Sequence, residues 1–280
     1  MRLRKARRFI TDLVNLYLDH HLARAAAGLT YFLTLSFFPL LICLYNMLGS
    51  MFPAAVEIRA VLNNVIPAET INIILQFLAY VSQNSSVTML VMSVGVLITS
   101  ASAAYRCVDN VTAEMRGRAR YNGFFGVVFS MIFSIIFLVA LYLAALLIVT
   151  GKWFLELVDR HIMFINISDS WSWVRFFLLF LLMFVMLLWI YRMTAPPARE
   201  GRVKTLPGAL AASVALLAVS IAFSSGIGVS ARYPVVYGSL ASLMLLMFWL
   251  YVCGVILFLG NAVNILLERE LGSDPFDLND

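Results

Sequence analysis

Three polar side chains of different chemistry occur close together in the chain: Arg106, Asp109 and Asn110. Residues three or four positions apart share one face of a helix, so Arg106 and Asp109 have the spacing of a local ion pair. A carboxylate next to a membrane span is the kind of group that couples proton or cation movement to transport, and Asp109 is the best candidate for that role. The alternative is a solvated acid at the cytoplasmic end of a helix, which is the more common use of a lone carboxylate.

A second group of candidates lies in the first long apolar segment, where Tyr31, Ser36 and Pro39 are predicted to line or gate a pathway. Proline lacks a backbone N–H and clashes with the preceding turn, so Pro39 is expected to kink its helix. The carbonyl that loses its partner must find another donor or line a wet cavity. One interpretation is a hinge or substrate-facing kink, and the other is a structural kink packed by neighbouring helices.

Further candidates lie in the last third of the chain. Arg232 could attract an anionic headgroup or solute, while Tyr237 fits either a substrate path or the aromatic belt at a membrane interface. Asn261 and Asn264 lie in the last apolar segment and could contact substrate or bond to a neighbouring helix. The interhelical hydrogen bond is the favoured interpretation.

Catalytic chemistry is not predicted. Phosphodiester hydrolysis with two metal ions needs clustered carboxylates or histidines that hold the ions about 3.5–4 Å apart. The acids here are dispersed, with no DxD, HxH or HD pattern, and no nucleophile is paired with a base. Cys43, Cys107 and Cys253 lack CxxC or CxxxC spacing, so neither a zinc site nor a disulfide is expected. We therefore expect no enzyme, no metal and no other cofactor.

The composition indicates the solvent in which these residues act. The chain is 62% hydrophobic and 12% charged, whereas soluble domains carry about 25% charged residues. The stretch from Gly201 to Leu267 holds no aspartate or glutamate. Because an isolated charge is costly in hydrocarbon, acid-free apolar runs of this length indicate membrane-embedded helices.

Six segments are long enough to cross the roughly 30 Å of bilayer hydrocarbon, which takes about 20 apolar residues. They are residues 25–51, 87–106, 122–150, 174–193, 207–230 and 239–267. If the N-terminus is cytoplasmic, fifteen of the 20 lysines and arginines lie on the cytoplasmic side and five outside. This bias predicts that both termini are cytoplasmic. Small residues at Gly95, Thr99 and Ala103 predict close helix packing in the second span.

The remaining segments are predicted to flank an all-α membrane bundle formed by residues 1–271. Residues 1–21 are basic at their start and have helical apolar spacing, so an interfacial helix with affinity for anionic lipid headgroups is expected. Residues 52–86 are too polar to span, and their amphipathic stripe from Ile71 to Val81 predicts an outer helical hairpin. The acidic tail, 272–280, is predicted to be disordered.

Several of these residues form a set that resembles the YihY/BrkB family of bacterial inner-membrane proteins. The resemblance covers roughly residues 22–267, in order and at family-like spacing. The matching pieces are Ala25 to Tyr31, Ser36 to Leu40, Asn110, Tyr191-Arg192, Pro196, Leu206 to Ala209, Tyr237 to Leu240, Trp249 to Tyr251, and Leu259-Gly260. Many relatives carry an acidic residue immediately after that last glycine, where this chain has Asn261.

The resemblance implies a six-span protein of the bacterial inner membrane. The family was once assigned as ribonuclease BN, which is now regarded as a misassignment, and some members are linked to serum resistance or envelope lipid export. We therefore expect a transporter or flippase-like permease for an amphipathic or lipid-linked substrate. The alternative is a scaffold for envelope machinery that transports nothing. No nucleic acid partner is expected, and the sequence does not predict an oligomeric state.

Overall fold

The computed structural model describes residues 2–48, 68–84, 86–117, 124–159, 171–195, 205–227 and 240–270. All regular structure within these ranges is α-helical, so the predicted fold class is confirmed. The helices are α1 (Arg2–Asp19), α2 (Leu22–Leu48), α3 (Ala68–Asn84), α4 (Val87–Met115), α5 (Phe124–Asp159), α6 (Trp171–Met193), α7 (Leu206–Ile227) and α8 (Leu240–Glu270).

Within the described residues, five helices are long and apolar enough to cross a membrane. Their apolar stretches are Leu22–Asn46, Val87–Met115, Gly126–Leu143, Leu206–Phe223 and Leu243–Arg269. Each coincides with a predicted span. The remaining predicted span, residues 174–193, falls in α6. The apolar stretch found in that helix, Phe180–Met193, is shorter than the other five.

Helix α4 extends beyond the second predicted span, which was placed at residues 87–106. The helix continues to Met115, so Arg106, Asp109 and Asn110 lie inside it, and Arg106 is more than two turns before its end. The Arg106 side chain bonds to Ser130 of α5, and Asn110 is exposed.

The centre of the bundle is formed by α2, α4 and α8. Leu22, Ala26 and Leu29 of α2 pack against Phe258 and other residues of α8 in one buried cluster. A side-chain carbon placed on Gly254 would lie 3.4 Å from the Cβ of Ala26, so α2 and α8 approach closely at small residues. The predicted close packing at Gly95 is wrong: the residue is exposed and nothing lies within 4 Å of a Cβ placed there.

Helix α1 presents two apolar faces. Leu16 is buried against the bundle, and Phe9, Leu13 and Tyr17 pack beside it. Burial and the neighbouring Tyr251 hydroxyl of α8 raise the pKa of Tyr17. A second stripe, formed by Ile10, Val14 and Leu18, is exposed. An apolar stripe that the protein does not cover is typical of a helix whose outer face meets lipid.

Helix α3 packs over one end of α2. Ile71, Ile74, Leu78 and Val81 are buried, as the amphipathic stripe predicted. Phe77 contacts Phe38 edge to face at 5.0 Å between ring centroids. The first arm and turn of the predicted hairpin lie outside the described residues, as does the predicted tail.

Candidate functional site

An apolar cavity of about 280 Å³ lies among five helices: α2, α4, α5, α6 and α8. The residues that line it are mostly aliphatic or aromatic: Leu29, Leu33, Ser36, Phe37, Leu40, Leu97, Ala101, Ala104, Tyr105, Val108, Phe133, Ser134, Phe137, Leu138, Leu141, Ile190, Leu250 and Leu257. A concave, largely apolar space enclosed by several helices is the usual form of a small-molecule site in a helical bundle.

The helical period decides which residues of α2 reach this cavity. Leu29, Leu33, Ser36 and Leu40 line it, and their spacings of three and four residues place them on one face. Tyr31, two positions from Leu29 and Leu33, lies on the opposite face and is 58% exposed. Ser36 thus faces the cavity and Tyr31 faces away from it, and a substrate pathway along α2 remains a prediction.

Helix α2 runs continuously through Pro39, from Leu22 to Leu48. Its neighbours Phe37 and Leu40 line the cavity, while Phe38 packs against Phe77 of α3. Pro39 is thus surrounded by packed neighbours on both sides of the helix. This arrangement favours the interpretation as a structural kink, and a hinge at Pro39 remains a prediction.

The two serines of the cavity wall add little polarity. The Ser36 hydroxyl donates to the Leu33 carbonyl at 2.9 Å, and the Ser134 hydroxyl donates to the Ser130 carbonyl at 2.7 Å. Each hydroxyl thus spends its hydrogen on its own helix, as serines inside helices commonly do. The wall therefore resembles hydrocarbon, whereas a polar cavity would be expected for a hydrophilic solute.

One side of the cavity is an aromatic stack that joins three helices. Tyr105 of α4 lies against Phe133 of α5, with ring centroids 3.9 Å apart. Trp189 of α6 stacks on Phe133 at 4.6 Å and lies nearly parallel to Phe137 at 6.1 Å. These rings bury large apolar area and form the contact between α5 and α6 beside the cavity.

Arg106 lies beside the cavity at the contact between α4 and α5. Its Nη1 donates to the hydroxyls of Ser102 and Ser130 at 3.3 and 3.4 Å. Those two hydroxyls are 2.7 Å apart, and both serines are fully buried. The contact of Arg106 with Ser102 could be predicted from the sequence, because Ser102 lies one turn earlier in the same helix. The contact with Ser130 could not, because Ser130 lies on another helix.

Asp109, Asn110 and Asn261 are not among the residues that line this cavity. Asp109 is half-buried and Asn110 is exposed, both within α4. Asn261 is buried on α8 and donates to the Thr112 hydroxyl at 2.8 Å, so the predicted interhelical hydrogen bond is confirmed. Arg232 and Tyr237 lie outside the described residues.

Asn264 forms a second interhelical bond, at the start of α7. Its Oδ1 accepts from the backbone N–H of Gly208 at 2.7 Å. The first N–H groups of a helix have no partner within the helix, and Pro207 has none to satisfy. A side chain of α8 therefore caps the N-terminus of α7.

Backbone contact at glycines makes this cap possible. A Cβ at Gly208 would lie 2.0 Å from the Gly260 carbonyl oxygen. A Cβ at Gly260 would lie 2.5 Å from the Tyr191 hydroxyl, which itself donates to the Leu257 carbonyl at 2.7 Å. Neither position has room for any residue but glycine, so the backbones of α7 and α8 are in contact here, and the Tyr191 side chain of α6 packs against the same point.

An ion pair joins the ends of α4 and α8. Arg116 donates to Glu268 at 2.6 and 3.4 Å, and their side chains are only 7% and 14% exposed. Gly117 follows with a φ of 61°, a left-handed conformation that favours glycine and ends α4. Arg269 also donates to the Met115 carbonyl at 3.4 Å.

The sequence profile of the family described as virulence factor BrkB matches residues 13–277. The chain belongs to the BrkB family. Among curated relatives, this BrkB protein is similar to a protein of Bacillus subtilis (strain 168) named as ribonuclease-like, YfkH. The two are 24% identical over 267 residues, which cover 94% of this chain and 96% of YfkH. No solved structure matches the chain.

The structure gives a physical role to three residues on which the family resemblance depends. Tyr191, Gly208 and Gly260 lie together in one packed junction of α6, α7 and α8. In the part of the chain that the structure describes, no three histidine, cysteine or acidic side chains come together as metal ligands would.

Proposed function

We propose that this BrkB protein is a transporter or flippase-like permease of the bacterial inner membrane, acting on an amphipathic or lipid-linked envelope substrate. The apolar cavity among α2, α4, α5, α6 and α8 is the observation that carries the proposal. A cavity walled by hydrocarbon suits a molecule that is itself largely apolar, since each polar group buried without a partner costs about 1–3 kcal/mol.

The proposed topology has six spans, with α6 as the fourth crossing and both termini in the cytoplasm. Its support is the fifteen-to-five distribution of basic residues and the placement of α6 between α5 and α7. Fusions of a reporter that is active only in the cytoplasm to each terminus test it. Inactive fusions at both ends would contradict the orientation.

Translocation is tested with purified protein in liposomes that contain fluorescent phospholipids. A membrane-impermeant quencher, added outside, measures how fast labelled lipid from the inner leaflet becomes accessible. We expect Leu33→Trp to slow this rate, because Leu33 lines the cavity. Leu35→Trp is the matched control, since Leu35 is on the same helix but 46% exposed.

Rates equal to those of empty vesicles across a broad lipid panel would contradict the proposal. That result would favour the alternative of a non-transporting scaffold, which one observation supports: the backbone contact of Gly208 with Gly260 fixes α7 on α8 and suits a rigid framework. The scaffold predicts a reproducible partner in crosslinking experiments with intact membranes, unchanged by Leu33→Trp.

A further inference from the structure

We propose that the cavity holds an acyl chain of an anionic phospholipid and that Arg106, held in place by the hydroxyls of Ser102 and Ser130, binds its phosphate. The inference rests on the proposed function, because it names the class of molecule for the same cavity. Binding is nevertheless measurable without transport, so the two statements can fail separately.

The wall chemistry selects the part of the molecule that enters. Apart from Tyr105, the polar residues of the lining are Ser36 and Ser134, whose hydroxyls donate to backbone carbonyls of their own helices. A sugar or nucleotide in this space would leave its hydrogen-bonding groups unsatisfied. A hydrocarbon chain loses nothing on entry, and it also makes dispersion contacts with the wall.

The shape of the cavity selects a chain over a ring system. Lining residues extend from Leu29 to Leu40 on α2 and from Leu97 to Val108 on α4. At 1.5 Å per residue, each of these segments is roughly 16 Å long. A space of this length accommodates an extended hydrocarbon chain laid along α2 and α4.

The charge lies at one end of this space. Ser130, which Arg106 contacts, precedes the cavity-lining Ser134 by one turn of α5, toward the start of that helix. Arg106 also follows the lining residue Tyr105 directly in α4. A headgroup bound by Arg106 would thus sit at the cavity mouth nearest the start of α5, with its chain extending along α2.

The electrostatics of Arg106 call for an anion. Both of its hydrogen-bond partners are neutral hydroxyls, and within the described residues no carboxylate lies within 4.0 Å of its guanidinium. A cation inside a membrane helix is costly unless it is paired. Guanidinium offers five N–H donors in a planar fork that matches phosphate oxygens, and only Nη1 is used by the serines.

Full-length protein in nanodiscs tests the site with a photoreactive monoacyl phosphatidylglycerol that carries a diazirine at mid-chain. The same chain on phosphatidylcholine and on glycerol provides zwitterionic and neutral probes. We expect the anionic probe to label peptides of α2, α4 and α5 at the cavity, with the strongest labelling at the lowest probe concentration. Leu33→Trp should abolish labelling by all probes at these peptides, while Leu35→Trp leaves it unchanged.

The charge is tested at Arg106. We expect Arg106→Gln to weaken binding of the anionic probe at least tenfold and to leave the neutral probe unaffected, while Arg106→Lys retains part of the preference. Arg192→Gln, the same change at an exposed position of α6, should have no effect. If Arg106→Gln does not elute as a folded protein, the comparison of Arg106→Lys with the native chain decides the matter.

Two results would overturn the inference. One is equal binding of the anionic and neutral probes by the native chain, and the other is labelling confined to outward residues such as Ile132 and Ile136 of α5. Anionic labelling at the cavity without lipid translocation would retain the site and remove the transport function. Translocation that survives both Leu33→Trp and Arg106→Gln would retain the function and remove this site.

Discussion

Replacing Gly208 by alanine should separate α7 from α8. The added Cβ would lie 2.0 Å from the Gly260 carbonyl oxygen and 2.5 Å from Cγ and Oδ1 of Asn264. A favourable contact between heavy atoms begins at about 3.5 Å, so the backbones must part by roughly 1.5 Å. The atom in the way belongs to the backbone of α8, and rotation of a side chain cannot relieve the clash.

The cost has two parts. Overpacking of this kind costs about 1–3 kcal/mol. The same displacement lengthens the 2.7 Å bond between Gly208 N–H and Asn264, and a buried donor left without a partner costs about 1–3 kcal/mol more. A total of about 2–6 kcal/mol corresponds to a fall in Tm of roughly 4–24 °C, at about 2–4 °C for each kcal/mol.

The measurement is thermal unfolding of detergent-solubilised protein, followed by tryptophan fluorescence. Gly95→Ala is the matched control: nothing lies within 4 Å of a Cβ at Gly95, and alanine in place of glycine inside a helix is favourable by about 0.5–1 kcal/mol. We expect a lower Tm for Gly208→Ala and an unchanged or higher one for Gly95→Ala. An equal Tm for Gly208→Ala and the native chain would refute the packing that we describe.

Four further predictions concern neighbouring contacts. Gly260→Ala should also lower the Tm, because the added Cβ would lie 2.5 Å from the Tyr191 hydroxyl. Removing that hydroxyl by Tyr191→Phe in the same chain should recover part of the loss. Strictly additive changes in Tm would contradict this contact. Asn264→Leu should cost about 1–3 kcal/mol by leaving the Gly208 N–H unpaired. Asn264→Asp keeps an acceptor at the N-terminus of α7 and should cost less. Equal unfolding curves for these two variants would exclude Asn264 as the cap of α7. Arg116→Met should cost up to about 3–5 kcal/mol because it breaks a largely buried ion pair with the Glu268 carboxylate. The double variant Arg116→Met/Glu268→Leu should recover much of that stability, and no recovery would show that the pair is not the main contact. The pKa of Tyr17 is raised above its ordinary value of 10.0, chiefly by burial and then by Tyr251. Docking of α1 should therefore be intact below pH 10 and weaken as the pH rises through the raised pKa. Protease cleavage of α1 measures this, and an identical response to pH in Tyr17→Phe would contradict it.

Most of the fold could be predicted from hydrophobic periodicity and composition. Acid-free apolar runs located the five described helices that are long and apolar enough to cross a membrane, because a buried charge is so costly in lipid that its absence is a strong signal. The stripe from Ile71 to Val81 likewise located the buried face of α3. Helix α4 continues past the predicted span, because the helix retains its backbone hydrogen bonds through polar residues such as Arg106 and Asp109.

The site was predictable only where it depends on one helix. Ser36 was found because it lies in an apolar segment, and its face follows from the helical period. The partnership of Arg106 with Ser130 and the cap of Gly208 by Asn264 join residues 24 and 56 positions apart. Such pairings depend on how helices are arranged, and a single sequence does not encode that arrangement in any local pattern. Gly95 shows the converse: a small residue at helical spacing need not lie against another helix.

The glycine junction restricts how this protein can change shape. With their main chains in contact and the start of one tied to a side chain of the other, α7 and α8 must travel as one unit. Widening the apolar cavity therefore falls to the wall formed by α5, where the flat rings of Phe133 and Phe137 can slide past Trp189 of α6 with little loss of contact. Spectroscopic labels on α7 and α8 would keep a fixed separation through any working cycle, while a label on α5 would move away from both.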